Sequence, residues 1–89
     1  MGGRPTSYGG PVPTLLIVDG FRFYFFGHEG MEPPHVHVSK AEAVAKVWLD
    51  PVEILYSEGF SPPELRRVRT LTEENRAMFV AEWNEYFKR

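Results

Sequence analysis

The sequence predicts an α+β domain in which an antiparallel meander of four to five strands precedes a C-terminal helix, or helix pair, packed on one face. Three observations predict this class. Short segments with apolar residues at alternate positions fill the first two thirds of the chain, turn residues separate them, and one apolar stripe with helical spacing follows. Strands that all precede the helical segment are typical of an α+β domain.

The first two segments predict a β-hairpin. Residues 15–18 are apolar, residues 21–26 are mostly aromatic, and Asp19-Gly20 between them is a strong signal for a two-residue hairpin turn. The phenylalanines at alternate positions of the second segment predict a wholly aromatic face that enters the core. Tyr24 lies on the other, mixed face and is therefore a candidate surface residue.

Three further strands are predicted after a loop. The loop spans residues 27–34 and ends in Pro33-Pro34, which favours an extended chain from the next residue onward. Strands are then expected at residues 35–38, 43–49 and 52–57. A helical turn is the alternative for the last of these segments, which leaves a meander of four strands instead of five.

A complete helix start follows the strands. Ser61 can cap the helix, Pro62 suits its first turn, and Glu64 can close a capping box. The helix can run unbroken to Phe87, although a second capping box that begins at Thr70 makes a break there an alternative. The apolar stripe with helical spacing comprises Leu65, Val68, Leu71, Phe79, Trp83 and Tyr86.

Composition limits the functions open to this chain. Its 89 residues fit a single domain, expected over residues 12–89 after a flexible Gly/Pro-rich lead-in at residues 1–11. A formal net charge of −2 opposes non-specific binding to nucleic acid. The absence of cysteine excludes disulfides and thiolate zinc sites, and it favours the cytoplasm. The sequence also lacks the run of roughly 20 apolar residues that a membrane-spanning helix needs.

The run from Glu29 to Val38 is the strongest candidate for a site. His35 and His37 lie two positions apart, so an extended strand sends both imidazoles to one side and the intervening valine to the other. Two side-by-side imidazoles suit a divalent metal such as zinc or iron, with Glu32 as the candidate third ligand and Glu29 or His28 as the other choices.

Two other interpretations of the histidine pair remain open. His35 and His37 can act as acid and base without a metal, an arrangement suited to cleaving a phosphodiester, with Arg22 or Lys46 near the charge. Alternatively, they belong to a polar sheet face whose side chains hydrogen-bond to their neighbours. The candidate catalytic residues are therefore His35, His37 and Glu32, and the same three are the candidate metal ligands.

A second set of residues is predicted to bind a ligand or a partner. Glu29 can orient the imidazoles, and arginines near the helix start can hold a phosphate or an acidic partner, although interleaved glutamates also predict a salt-bridged helix face. Because helices on one face leave the other open, a homodimer or a partner protein is expected. The candidate binding residues are Tyr24, His28, Glu29, Arg66 and Arg69.

Several segments together resemble a known family. They are DGFRFYFF at residues 19–26, EGMEPPHVHV at residues 29–38, KVWLDPVE at residues 46–53, GFSPPELRRV at residues 59–68, ENR at residues 74–76 and WNEYF at residues 83–87. The chain thus resembles domain-of-unknown-function family 4160, a family of small bacterial and archaeal proteins, over roughly residues 13–87.

The resemblance implies a function class without an established activity. Members are small stand-alone proteins, often encoded beside another small protein, an arrangement similar to toxin–antitoxin pairs. It therefore implies a partner-binding module that is one half of such a pair. A small metal-dependent or histidine-dependent hydrolase or nuclease is the alternative, since the EPPHVHV signature includes both histidines.

Overall fold

Five antiparallel strands followed by two helices make up the fold, as the sequence predicts. The computed structural model describes residues 14–88, so the predicted lead-in at residues 1–11 lies outside the described part of the chain. The strands lie side by side in chain order. The elements are β1 (Thr14–Val18), β2 (Phe21–Tyr24), β3 (His35–Lys40), β4 (Ala43–Leu49), β5 (Val52–Glu58), α1 (Pro62–Glu74) and α2 (Arg76–Tyr86).

The hairpin between β1 and β2 turns at Asp19-Gly20. Both residues have positive φ angles, 54° and 84°, as a two-residue hairpin turn requires. β2 ends at Tyr24, two residues before the predicted end, because the chain leaves the sheet there to begin the loop toward β3. The fifth segment is a strand, paired with β4 from Val44 to Leu49, and the helical-turn alternative is wrong.

The sheet has two chemically different faces. Val36, Val38 and their cross-strand neighbours Val47 and Ala45 point toward the helices and are completely or almost completely buried. The opposite face carries a row of paired residues on four adjacent strands: Tyr24, His37, Lys46 and Tyr56. The predicted separation of valines from histidines is thus confirmed by the register.

The helical segment breaks at Asn75 instead of at Thr70. The capping box at Ser61 and Glu64 forms as predicted. Near Thr70 the helix continues, and the buried hydroxyl of Thr72 donates a 2.7 Å hydrogen bond to the Val68 carbonyl of the preceding turn. At Asn75 the side-chain amide donates to the Leu71 carbonyl at 2.9 Å, and the backbone leaves helical geometry at ψ 12°.

The helices contribute the second layer of the core. Phe79 on α2 is fully buried and stacks on Phe23 of β2, with ring centroids 5.3 Å apart. Tyr86, predicted to belong to the buried stripe, remains 45% exposed because it lies in the last turn of α2, beyond the edge of the sheet core. Neither helix within residues 14–88 is long and apolar enough to cross a membrane.

Replacing Phe79 by alanine tests this packing. We expect Phe79→Ala to lower the free energy of unfolding by about 3–5 kcal/mol, because it removes a buried aromatic ring and leaves a cavity against Phe23. Leu55→Ala is the matched control, since Leu55 is 49% exposed on β5 and should change stability far less. Urea denaturation measures both variants, and equal losses would contradict the packing described here.

Candidate functional site

A loop between β2 and β3 brings a carboxylate back to the histidine pair. The loop makes two successive tight turns, in which the Glu29 amide donates to the Phe26 carbonyl at 3.2 Å and the Glu32 amide donates to the Glu29 carbonyl at 3.1 Å. The Leu49 amide donates to the Pro34 carbonyl and anchors the end of the loop to β4. These bonds place Glu29 beside the first residues of β3.

The Glu29 carboxylate lies between the two imidazoles. Its Oε1 is 2.9 Å from Nε2 of His35, and its Oε2 is 2.9 Å from Nε2 of His37. The Phe26 amide also donates to Oε1 at 3.0 Å. Exposure is 8% for Glu29, 0% for His35 and 7% for His37, so this carboxylate and both rings are shielded from water.

Aromatic side chains form the walls of the site. The His35 ring lies against Trp83 and Trp48, with centroid distances of 4.8 and 5.7 Å. The His37 ring lies against Phe26 at 4.8 Å and stacks on Tyr24 at 5.5 Å. These walls lower the local dielectric constant, which strengthens every electrostatic interaction within the site.

Burial and hydrogen bonding shift the pKa values of Glu29 and His37. Burial lowers the pKa of His37 below 6.5, and the hydrogen bond and charge of Glu29 offset only part of that effect. Burial alone would raise the pKa of Glu29, but hydrogen bonds from His37 and the Phe26 amide outweigh it and bring that pKa below 4.5. At neutral pH, Glu29 is therefore ionised and His37 is neutral.

Both ring nitrogens of His35 face oxygens that can only accept hydrogen bonds, whereas a neutral imidazole carries one N–H donor. Its Nδ1 lies 3.0 Å from the Pro33 carbonyl, which can only accept, so this contact favours the proton on Nδ1. In the neutral ring, Nε2 then carries a lone pair directed at the ionised Glu29. In this tautomer Nε2 has no hydrogen-bond partner within residues 14–88, although the two atoms are 2.9 Å apart; a proton on Nε2 would bond to Glu29 and leave Nδ1 unprotonated against the Pro33 carbonyl.

A positive charge between Nε2 of His35 and the Glu29 carboxylate removes the repulsion between their lone pairs. That charge can be a second proton on His35, as in acid/base chemistry, or a metal ion. Glu29, His35 and His37 each offer one ligand atom, and these atoms lie within 4.8 Å of one another. Tetrahedral zinc with bonds of 2.0–2.1 Å separates its ligands by about 3.3 Å, so a small outward movement of the 2.9 Å contacts accommodates an ion.

The other candidate residues occupy different places. Glu32, the carboxylate that the sequence favours as third ligand, hydrogen-bonds to Lys46 at 2.7 Å and lies 3.9 Å from Nδ1 of His35, on the far side of that ring from Glu29. His28 is exposed and stacks on Phe26 with centroids 5.8 Å apart. Tyr24 contacts His37 and thereby the trio, the name used below for Glu29, His35 and His37.

The arginine candidates are remote from the trio in the contacts that the structure shows. Arg66 is exposed on α1, and Arg69 donates to the Val52 carbonyl of β5 at 3.4 Å. Two other arginines also have partners: Arg67 pairs with Asp19 at 2.7 Å and Arg76 pairs with Asp50 at 3.1 Å. Two of these four arginines thus form ion pairs, but with aspartates outside the helices and not with the interleaved glutamates that the sequence favours.

Removing the charge of Glu29 tests the electrostatics of the trio. In metal-free protein kept in chelator, we expect Glu29→Gln to lower the pKa of His37 further, because the negative charge that favours the imidazolium is lost. An NMR titration of the His37 ring protons measures the shift. Glu73→Gln, an exposed change on α1, is the control, and an unchanged pKa in Glu29→Gln would contradict the geometry.

Comparisons with known proteins agree with the resemblance found in the sequence. The family model described as Domain of unknown function (DUF4160) matches residues 20–84, which include the trio and both helices apart from the last residues. No curated protein and no solved structure matches the chain. Because the model covers most of the sequence, the chain belongs to the family of the domain of unknown function DUF4160.

Proposed function

We propose that this protein binds a divalent transition-metal ion through Glu29, His35 and His37 and uses it in hydrolysis. One observation carries the proposal: the buried Nε2 of His35 faces an ionised carboxylate without a hydrogen-bond partner in the described chain. An uncompensated arrangement of this kind is costly in an apolar site. A metal ion replaces the repulsion between lone pairs with two coordinate bonds.

The ligand set fits zinc, iron or manganese better than calcium or magnesium. Two imidazoles and one carboxylate are ligands that zinc shares with iron and manganese, whereas calcium and magnesium prefer oxygen alone. With Nε2 bound to a metal, the Nδ1–H of His35 donates to the Pro33 carbonyl. Metal-bound histidines typically donate in this way to a backbone oxygen or a carboxylate. This second contact fixes the ring orientation before an ion arrives.

Three protein ligands would leave one coordination position for water, and a substrate would have to displace the loop or its aromatic walls to reach the enclosed residues. Three-ligand zinc sites are typically catalytic, and a bound zinc lowers the pKa of its water to about 7. Lys46 is the cross-strand neighbour of His37 and acts electrostatically on it. Its ammonium group is paired with Glu32 at 2.7 Å, so an anionic substrate such as a phosphoester would bind it by displacing that carboxylate. We further propose that the protein acts in the cytoplasm, because so small a domain without cysteine lacks the disulfides that small secreted domains usually contain.

Metal titration tests the proposal. We expect one zinc or cobalt ion per chain by calorimetry. At 100 times the dissociation constant, the ion should stabilise the fold by about 2.7 kcal/mol. His37→Ala and Glu29→Gln should abolish tight binding, because each removes a ligand. Affinity should also fall as the pH drops, since protonated imidazole cannot coordinate a metal.

Glu32→Gln is the matched control for the metal site. It changes the carboxylate nearest to the trio without removing a ligand, so it should retain one ion per chain. Metal-loaded wild type should cleave a phosphodiester such as bis-p-nitrophenyl phosphate, and Glu29→Gln should not. Wild-type protein that binds no divalent ion would leave a shared proton between Glu29 and His35, and the metal proposal would be wrong.

A groove beside the trio favours partner binding as a second function. Met31 projects from the loop with 92% of its surface exposed, which is unusual for a large apolar side chain. It borders a groove of about 770 Å³, whose other lining residues are Glu32, Pro33, Pro34, Trp83, Asn84, Phe87 and Lys88. We propose that a small partner protein, as in a toxin–antitoxin-like pair, binds there.

Charge placed at the groove tests the partner proposal. We expect Met31→Asp to weaken binding of the proposed partner protein by at least 10-fold, because an aspartate is expensive to desolvate in an apolar interface. Leu55→Asp is the control, since it places the same charge on β5. Calorimetry with the purified partner measures both variants, and unchanged affinity in Met31→Asp would exclude this groove. Light scattering shows whether the partner is instead a second copy of the chain.

A further inference from the structure

We infer that three aromatic residues at the end of α2 position Glu29 for metal binding, an inference that rests on the proposed metal centre. The three, named the aromatic clasp below, are Trp83, Tyr86 and Phe87. They touch the loop on both sides of Glu29 and also touch His35. None of them offers a metal ligand, so their action is on the placement of residues that do.

The clasp is a single packed cluster. Phe87 lies 4.4 Å from Trp83 and 4.9 Å from Tyr86 between ring centroids. Phe25, the first residue after β2, is buried among all three at 5.2 to 5.3 Å. The start of the loop is therefore held against the end of α2 by aromatic contacts.

Two glycines bring the loop backbone directly against the clasp. A Cβ atom at Gly27 would lie 2.7 Å from the Tyr86 hydroxyl oxygen, and one at Gly30 would lie 2.5 Å from Cδ1 of Phe87. Side chains at either position would displace the loop or the aromatic rings. Because these glycines flank Glu29 two residues before it and one residue after it, the clasp restrains the backbone on both sides of the carboxylate.

The clasp also reaches a ligand and the core. Trp83 is 3% exposed and its ring lies 4.8 Å from that of His35. One helical turn earlier, Phe79 stacks on Phe23 and fixes α2 to the sheet. Glu29 is thus connected to the sheet core through α2 and the clasp, whereas both histidines belong to β3 itself.

This difference in support determines what the clasp contributes. His35 and His37 belong to a central strand, whereas Glu29 belongs to a loop that must be ordered before it can bind a metal. Ordering a loop at the moment of binding reduces affinity, and a support that orders it in advance removes that loss. Loss of such outer support typically reduces metal affinity about 10–100-fold.

Phe87→Ala is the main test, because it removes a half-buried ring after the end of α2 without opening the sheet core. We expect the zinc dissociation constant to rise about 10–100-fold. The absorption spectrum of the cobalt-substituted variant should also change, since the carboxylate ligand is no longer held in one geometry. Phe87→Leu retains bulk against Gly30 and should restore most of the affinity. Tyr56→Ala, which removes an exposed aromatic residue on β5, should have no effect.

Gly30→Ala provides a second variant that acts through the same contact. It removes no aromatic ring and should raise the dissociation constant in the same direction, because the added methyl group displaces the loop from Phe87. If Phe87→Ala and Gly30→Ala both fold and bind zinc as wild type does, the inference is wrong. Faster loop exchange with unchanged zinc affinity would also overturn it.

Hydrogen exchange of metal-free protein separates this inference from the proposed function. The Glu29 and Glu32 amides close the two turns of the loop, so Phe87→Ala should accelerate their exchange while amides of β3 stay protected. Wild type that binds no metal would refute the metal centre alone. In that case unchanged exchange in Phe87→Ala would refute the clasp, and accelerated exchange would support its positioning of Glu29 beside the histidines.

Discussion

The buried carboxylate of Glu29 between two imidazoles is the interaction on which the rest of this structure depends. An ionised oxygen next to the unprotonated nitrogen of His35 is unfavourable in an apolar site unless a positive charge lies between them. The Pro33 carbonyl faces the other ring nitrogen, so neither neutral tautomer of His35 satisfies both oxygens. Proton sharing and metal binding are the two chemical solutions, and the choice between them decides whether the protein is a metalloprotein.

The sheet and the helices have separate tasks in building this site. The two-residue period of β3 sends Val36 and Val38 into the core and presents the two histidines together on the other side. The helices pack on the valine side, yet the last turn of α2 extends past the sheet and reaches the loop. The same helix therefore stabilises the core through Phe79 and the site through Trp83.

Local signals account for the correctly predicted parts of the fold. Asp19-Gly20 determines a hairpin through its backbone preferences, and Ser61 with Glu64 determines a helix start through short-range hydrogen bonds. The Thr-Leu-Thr-Glu sequence at residues 70–73 matches a capping box and therefore indicates a break at Thr70. The structure instead breaks at Asn75. Only the packing of Thr72 into the core directs its hydroxyl to the Val68 carbonyl.

The sequence by itself determined the order of elements, the two faces of the sheet and the pairing of His35 with His37, because periodicity and turn chemistry act over a few residues. Only the tertiary structure decided which carboxylate joins that pair. Glu29 and Glu32 are both near the histidines in sequence, but the turns of the loop bring the first to both rings and direct the second to Lys46. The loop also lies against the distant end of α2 at Gly27 and Gly30, a contact that no short segment encodes.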